Sequence, residues 1–96
     1  MIRHTVMFTL RHAKGSLMEK SFLRDAQVLA GIPGVKNFEK LRQVSGKNEF
    51  AFALAMEFAD QAAYDGYNSH PKHIAFVRDR WNKEVAKFLE ADFEAL

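Results

Sequence analysis

The sequence predicts an α+β domain with the order strand, helix, strand, strand, helix, strand. Three observations carry that prediction. Residues 2–10 and 50–58 alternate in side-chain character with a period of two, the pattern of strands with one buried face. The stretches after Ser16 and after Pro71 carry apolar residues three and four apart, the stripe of amphipathic helices. Turn-forming residues, among them Pro33-Gly34 and Gly46, separate these segments.

In the first strand Ile2, His4, Val6, Phe8 and Leu10 share a face, and Arg3, Thr5, Met7 and Thr9 occupy the other. Arg11 to Gly15 is a polar loop. Ser16 and Glu19 then form a capping box, in which the serine oxygen accepts a free backbone N–H and the glutamate reaches back. Met18, Phe22, Ala26 and Leu29 make the helix stripe, and Gly31 with Pro33-Gly34 stops it. Residues 35–44 are ambiguous, because Val35, Phe38, Leu41 and Val44 recur every three residues. A bulged or partly exposed strand is the better reading, since the next segment needs a partner and Gly46 supplies the turn.

Phe50, Phe52, Leu54, Met56 and Phe58 form one face of the next strand, with Ala51, Ala53 and Ala55 on the other. A strand apolar on both faces is central and covered on both sides. The helices of one small domain cover a single face, so the alanine face calls for a second subunit. Asp60 caps a short helix through Tyr64 and Tyr67. Pro71 pushes His70 out of the α region and suits the first turn of a new helix. Ile74, Val77, Trp81, Val85 and Phe88 are its expected core stripe. The tail alternates again, with Leu89, Ala91, Phe93 and Ala95 opposed to Glu90, Asp92 and Glu94. This order of elements is that of a ferredoxin-like fold, whose first and third strands are central.

Composition narrows the function classes. Ninety-six residues make one domain spanning 1–96, and 48% hydrophobic residues with nine phenylalanines supply a core. A domain this small buries only about 60% of its unfolded surface, so oligomerisation helps it. The absence of cysteine removes disulfides and thiolate chemistry, and no run approaches the roughly 18 apolar residues that span a membrane. With no signal-peptide pattern at Met1 to Thr5, the expected location is the cytoplasm. A formal charge of +2, not gathered into a stripe, argues against nucleic acid as a partner.

Chemistry concentrates at Tyr67, His70 and His73, held around the Pro71 turn. Imidazole titrates near neutral pH, and a phenol can donate to a developing oxyanion. Together they suit removal of a proton beside a carbonyl without metal. The plainer reading is that His70 and His73 brace the helix start while Tyr67 packs on Trp81 or Phe88. His4, on an apolar face, is either a satisfied core residue or the floor of a pocket. A metal site is weaker, because Pro71 disrupts the spacing of His70 and His73 and no third ligand is evident. There is no phosphate loop or dinucleotide fingerprint. Lys36, Lys40 and Arg42 are read as one face of the second strand, and Glu90, Asp92 and Glu94 as one face of the last. These are solvated faces, or complementary rims of a dimer.

Met1-Ile2-Arg3-His4, Ile32-Pro33-Gly34-Val35, His70-Pro71-Lys72-His73-Ile74-Ala75-Phe76-Val77 and Glu90-Ala91-Asp92-Phe93 together resemble the stress-responsive A/B barrel (Dabb) family over essentially the whole chain. The resemblance implies a dimeric α+β barrel and hence a homodimer. It also implies a pocket between sheet and helices for a small molecule. In the family's plant polyketide cyclases a histidine and a tyrosine run an intramolecular aldol condensation without metal or cofactor. By resemblance those roles fall on His73 and Tyr67. His4 would line the pocket, Val6, Phe8, Phe22 and Leu54 would form its walls, and His70 would stand at its corner. Bulky Phe8, Phe22 and Phe52 leave room only for a small ligand. Three readings follow: a homodimeric small-molecule-binding protein, a cofactor-independent cyclase-like enzyme, or a cofactor-free monooxygenase sharing the fold.

Overall fold

The computed structural model describes residues 1–96 and places β1 at Ile2–Leu10, α1 at Leu17–Asp25, β2 at Lys36–Arg42 and β3 at Phe52–Phe58. After these come α2 at Gln61–Ser69, α3 at Pro71–Phe76 and β4 at Val85–Phe93. The four strands form one antiparallel sheet in the order β2-β3-β1-β4, so β1 and β3 are central as the ferredoxin-like topology requires. All helices cover one face of that sheet. The core there joins Val6, Phe8 and Leu10 of β1 and Phe52, Leu54, Met56 and Phe58 of β3 to Phe22, Ala26, Leu29, Tyr67 and Phe76 above.

The capping box forms as the sequence predicts. Glu19 N–H donates to Ser16 Oγ at 3.2 Å, and Gly15 N–H donates to Glu19 Oε1 at 3.1 Å. That return contact buries Glu19 and leaves Met18, expected in the core stripe, 54% exposed. The helix also ends sooner than the stripe suggests. Beyond Asp25 the chain tightens into a 3-10 segment, Ala26–Gly31, which still carries Ala26 and Leu29 into the core. Gly34 then adopts a φ of 90°, a conformation that residues with a Cβ rarely take, so glycine suits the turn.

β2 is the bulged, exposed strand expected. The pairing with β3 shifts between Lys36 and Glu39, and Asn37 sits at a φ of 51° inside the bulge. The bulge has a consequence the alternation hides. Lys40 pairs with Leu54 and Arg42 with Phe52 on the helix side, whereas Lys36 pairs with Glu57 on the opposite face. The three basic residues therefore do not share a face.

The second helical region departs further from expectation. Val77–Trp81 form a π turn and Asn82–Glu84 a last helical turn, after which Val85 opens β4. The widened turn spaces Phe76 and Trp81 five residues apart and brings both onto Phe22, at centroid distances of 5.4 and 6.2 Å. Ile74, expected in the stripe, is left 50% exposed. Val85 and Phe88 belong to the strand, not the helix. An ion network fixes the exit from the helix. Arg80 pairs with both Glu84 and Asp25, and His12 Nε2 lies 2.7 Å from Glu84 Oε1. Burial would raise the Glu84 carboxyl, but bonds from Arg80 and His12 outweigh it and hold it below the usual range.

The far face of the sheet has no helix over it. β1 offers Thr5 and Met7 there, β3 Ala53 and Ala55, β2 Leu41, and β4 Leu89, Ala91 and Phe93. Leu41, Leu89 and Phe93 are exposed. No helix is long and apolar enough to cross a membrane.

Candidate functional site

Between the sheet and the helices lies a cavity of about 230 Å³. Its apolar wall includes Val6, Leu54 and Met56 from the sheet and Leu29, Phe76 and Trp81 from the helices. Polar groups converge on it from three elements: His4 from β1, Tyr67 and Asn68 from α2, and His73 from α3. Asn82 and Glu90 add an amide and a carboxylate.

The Pro71 turn aims two of these groups. Asp60 caps α2 by accepting from Ala63 N–H at 2.9 Å, which sets Tyr64 and Tyr67 one turn apart on the buried face. His70 ends α2 with an extended φ,ψ of −67° and 138°. Pro71 then starts α3, and His73 folds back over Tyr67 with ring centroids 4.5 Å apart. His73 Nδ1 lies 3.1 Å from the Asn68 carbonyl, an acceptor only. Nδ1 therefore carries the hydrogen, and Nε2 is left as the proton-accepting atom. Burial lowers the His73 pKa, against an opposing contribution from the Asn68 bond, so the ring is neutral at pH 7. Burial raises the Tyr67 pKa, with Glu90 adding to the effect, so the phenol keeps its proton.

Only one fully buried side-chain nitrogen or oxygen lacks a hydrogen-bond partner, Thr9 Oγ1. The Tyr67 hydroxyl and His73 Nε2 make no bond within the chain, so both open onto accessible space, and both residues line the cavity. An acceptor and a donor thus stand side by side over one cavity.

His4 is buried and sits across from them. Its Nδ1 lies 2.6 Å from Asp92 Oδ1 and 2.8 Å from the Tyr64 hydroxyl, which also donates to Asp92 Oδ2 at 3.0 Å. Cross-strand register explains the contact: His4 pairs with Asp92, and Val6 with Glu90. Glu90 and Asp92 therefore lie on the helix side of the sheet and stay exposed, as a solvated face does, but they are not on the bare face where a dimer rim would stand. Burial raises the Tyr64 pKa, and the Asp92 bond adds to it.

Other expected site residues stand elsewhere. His70 does not line the cavity. Its Nδ1 accepts from Lys72 N–H at 3.1 Å and caps α3. Phe8 and Phe22 are fully buried and pack on each other at 5.8 Å and on Trp81, closing the core beside the cavity without lining it. Val6 and Leu54 do line it, as expected. The sequence reading missed Tyr64, Asp92 and Glu90. The last two carried no signal in the sequence, because only the register of β4 against β1 in the folded sheet places Glu90 and Asp92 opposite Val6 and His4.

The family model of the stress responsive A/B barrel domain, Dabb, matches residues 2–95. The chain belongs to the Dabb family. A Dabb protein of ferredoxin-like fold from Mesorhizobium loti is 61% identical, with a TM-score of 0.98 over 99% of this chain and 96% of that one. A dimeric ferredoxin-like protein from Thermobifida fusca shares the fold at 19% identity, with a TM-score of 0.80 over 98% and 90%. The hydroxynitrile lyase of Passiflora edulis shares it at 13% identity, with a TM-score of 0.82 over 99% and 93%. No curated protein matches the Dabb chain. The ferredoxin-like architecture read from the order of strands and helices is thus the family's own.

Proposed function

We propose that this Dabb protein is a homodimer that binds a small molecule in the cavity between sheet and helices. The carrying observation is the combination of apolar walls with the unpartnered Tyr67 hydroxyl and His73 Nε2. Both atoms reach accessible space with no partner in the chain, so a ligand can hydrogen-bond to them while its apolar part meets the walls. At about 230 Å³ the cavity lies below the roughly 300–1,000 Å³ of pockets for drug-sized ligands, which favours a compact one. The dimer is supported by the bare sheet face, where small Ala53 and Ala55 allow close approach beside exposed Leu41, Leu89 and Phe93. The Thermobifida fusca protein of the same fold is described as dimeric.

A second reading, proton transfer on a carbonyl compound, has its own support in the contact between His73 and Tyr67. His73 Nε2 would take a proton from the carbon beside the carbonyl. The Tyr67 hydroxyl would hydrogen-bond the enolate oxygen, and the carbanion would then attack a second carbonyl or be reprotonated by His73. No cofactor enters these steps.

A thermal-shift screen of small carbonyl compounds against wild type and His73→Ala tests both readings. Binding predicts compounds that stabilise wild type and stabilise His73→Ala less. If no compound discriminates between the two proteins, the cavity reading fails. Turnover of any hit, abolished in Tyr67→Phe, would establish the second reading.

A further inference from the structure

Two imidazoles border the cavity, and the proton-transfer reading uses one. The other, His4, is held by a more elaborate set of contacts. Its Nδ1 faces Asp92 Oδ1 at 2.6 Å and the Tyr64 oxygen at 2.8 Å. Tyr64 in turn spans both oxygens of that carboxylate, at 3.2 and 3.0 Å.

Counting donors and acceptors fixes the hydrogens. An ionised carboxylate only accepts, so the shared hydrogen of the short contact belongs to His4 Nδ1. The Tyr64 hydroxyl then spends its own hydrogen on Asp92, and its oxygen lies beside the Nδ1–H as a second acceptor. With Asp92 ionised, these contacts require a hydrogen on Nδ1 whether or not Nε2 also carries one. The neutral ring is therefore the Nδ1–H tautomer, with its lone pair on Nε2.

His4 is only 5% exposed, and Nε2 has no partner within the chain. It is nonetheless not among the fully buried unpartnered atoms, so it reaches accessible space. His4 borders the helix-facing cavity and none of the other principal pockets. Its Nε2 therefore opens on the same space as His73 Nε2 and the Tyr67 hydroxyl.

We propose that Asp92 and Tyr64 are positioning residues that hold His4 as a second proton-accepting imidazole of the cavity, opposite His73. Asp92 fixes the tautomer and balances charge when Nε2 takes a proton; Tyr64 fixes the carboxylate. The cavity then offers two imidazole acceptors and the Glu90 carboxylate against the donors Tyr67, Asn68 and Asn82. The ligand class this favours is a small uncharged molecule with two hydroxyl or enol hydrogens, and a carboxylate ligand would be repelled by Glu90. This rests on the binding reading for its ligand, but the state of His4 is testable without any ligand.

The experiment is long-range ¹H–¹⁵N correlation spectroscopy of the histidine rings at mildly alkaline pH, on wild type, Asp92→Asn and Tyr64→Phe. In wild type, His4 is expected to give a pyrrole-type signal at Nδ1 and a pyridine-type signal at Nε2. Asp92→Asn presents an amide hydrogen to Nδ1 and should reverse the two signals, while a purely structural role would leave the tautomer unchanged. Tyr64→Phe should keep the wild-type order with a smaller Nδ1–H downfield shift. A wild-type His4 protonated on Nε2 overturns the proposal, as does a folded Asp92→Asn that retains the Nδ1–H tautomer. The wild-type spectrum decides the matter even if a variant fails to fold. A failed ligand screen with the wild-type tautomer as expected would count against the binding reading alone.

Discussion

Phe8 and His4 lie four residues apart on the same face of β1, Phe8 under α1 and the Val77–Trp81 turn and His4 under α2, and their surroundings differ completely. Around Phe8 the space is filled by rings: Phe22 at 5.8 Å, Phe52 at 5.7 Å and Trp81 at 5.1 Å. Around His4 the rings of Tyr64, Tyr67 and His73 carry polar atoms that cannot all be satisfied by one another. The filled half leaves Phe8 and Phe22 fully buried. The polar half keeps a cavity. The lesson is that one strand supports both a sealed core and a candidate site, and that the choice rests on ring chemistry over the span of one helical turn.

The sealed half should dominate stability. Phe22→Ala is expected to cost about 3–5 kcal/mol by denaturant unfolding, because nothing nearby can collapse into the void without breaking ring contacts. A cost below about 1 kcal/mol would show that this half is not closed. Next in size is the ion network beside it. Arg80→Met should cost about 3 kcal/mol, since it strands Glu84, whose side chain is only 12% exposed, beside His12 alone. Because the folded pKa of Glu84 is depressed, its stabilisation is present above the ordinary carboxylate pKa and is lost as pH falls through the folded value. Wild type should therefore lose more stability below about pH 4.5 than Arg80→Met does, measured by urea midpoints.

The polar half should show smaller effects with a distinct signature. Asp60→Ala removes the cap of α2 and should cost about 1 kcal/mol, and it should weaken any ligand response by loosening Tyr67. His73 gives the smallest effect and the most diagnostic. Its folded pKa is lowered, so the unfolded chain binds the proton more readily, and stability falls as pH drops below 6.5. His73→Gln should flatten the urea-midpoint profile between pH 6.5 and 5 while changing little at pH 8. An unchanged profile would mean His73 is not desolvated by the cavity wall. On the bare sheet face, Ala53→Arg should turn the proposed dimer into a monomer by light scattering, with the same hits in the thermal-shift screen.

The legible parts were those governed by local pattern. Period-two alternation located β1 and β3 and their helix-facing sides, although β3 starts only at Phe52 and leaves Phe50, expected in it, outside the strand and half-buried. The capping box placed the start of α1, and the His70-Pro71 break placed the boundary of α2 and α3 and with it Tyr67 and His73. Met18 misled because the capping box turns Glu19 inward in its place, and Ile74 because periodicity assumes an undistorted α-helix, whereas the Val77–Trp81 turn widens. Val85 and Phe88 misled for a related reason: a stripe at helical spacing does not reveal where the chain leaves the helix.

By itself the sequence determined the order of elements, the central position of β1 and β3 and the corner that carries Tyr67 and His73. These depend on contacts between neighbours in the chain or on one residue's own conformational limits. The tertiary structure alone decided which side Glu90 and Asp92 face, that Tyr64 and Asp92 fix His4, and that Phe8 and Phe22 seal rather than line the cavity. Each of those depends on strand register or on how three elements meet, and a one-residue change of register turns every side chain of a strand to its other face.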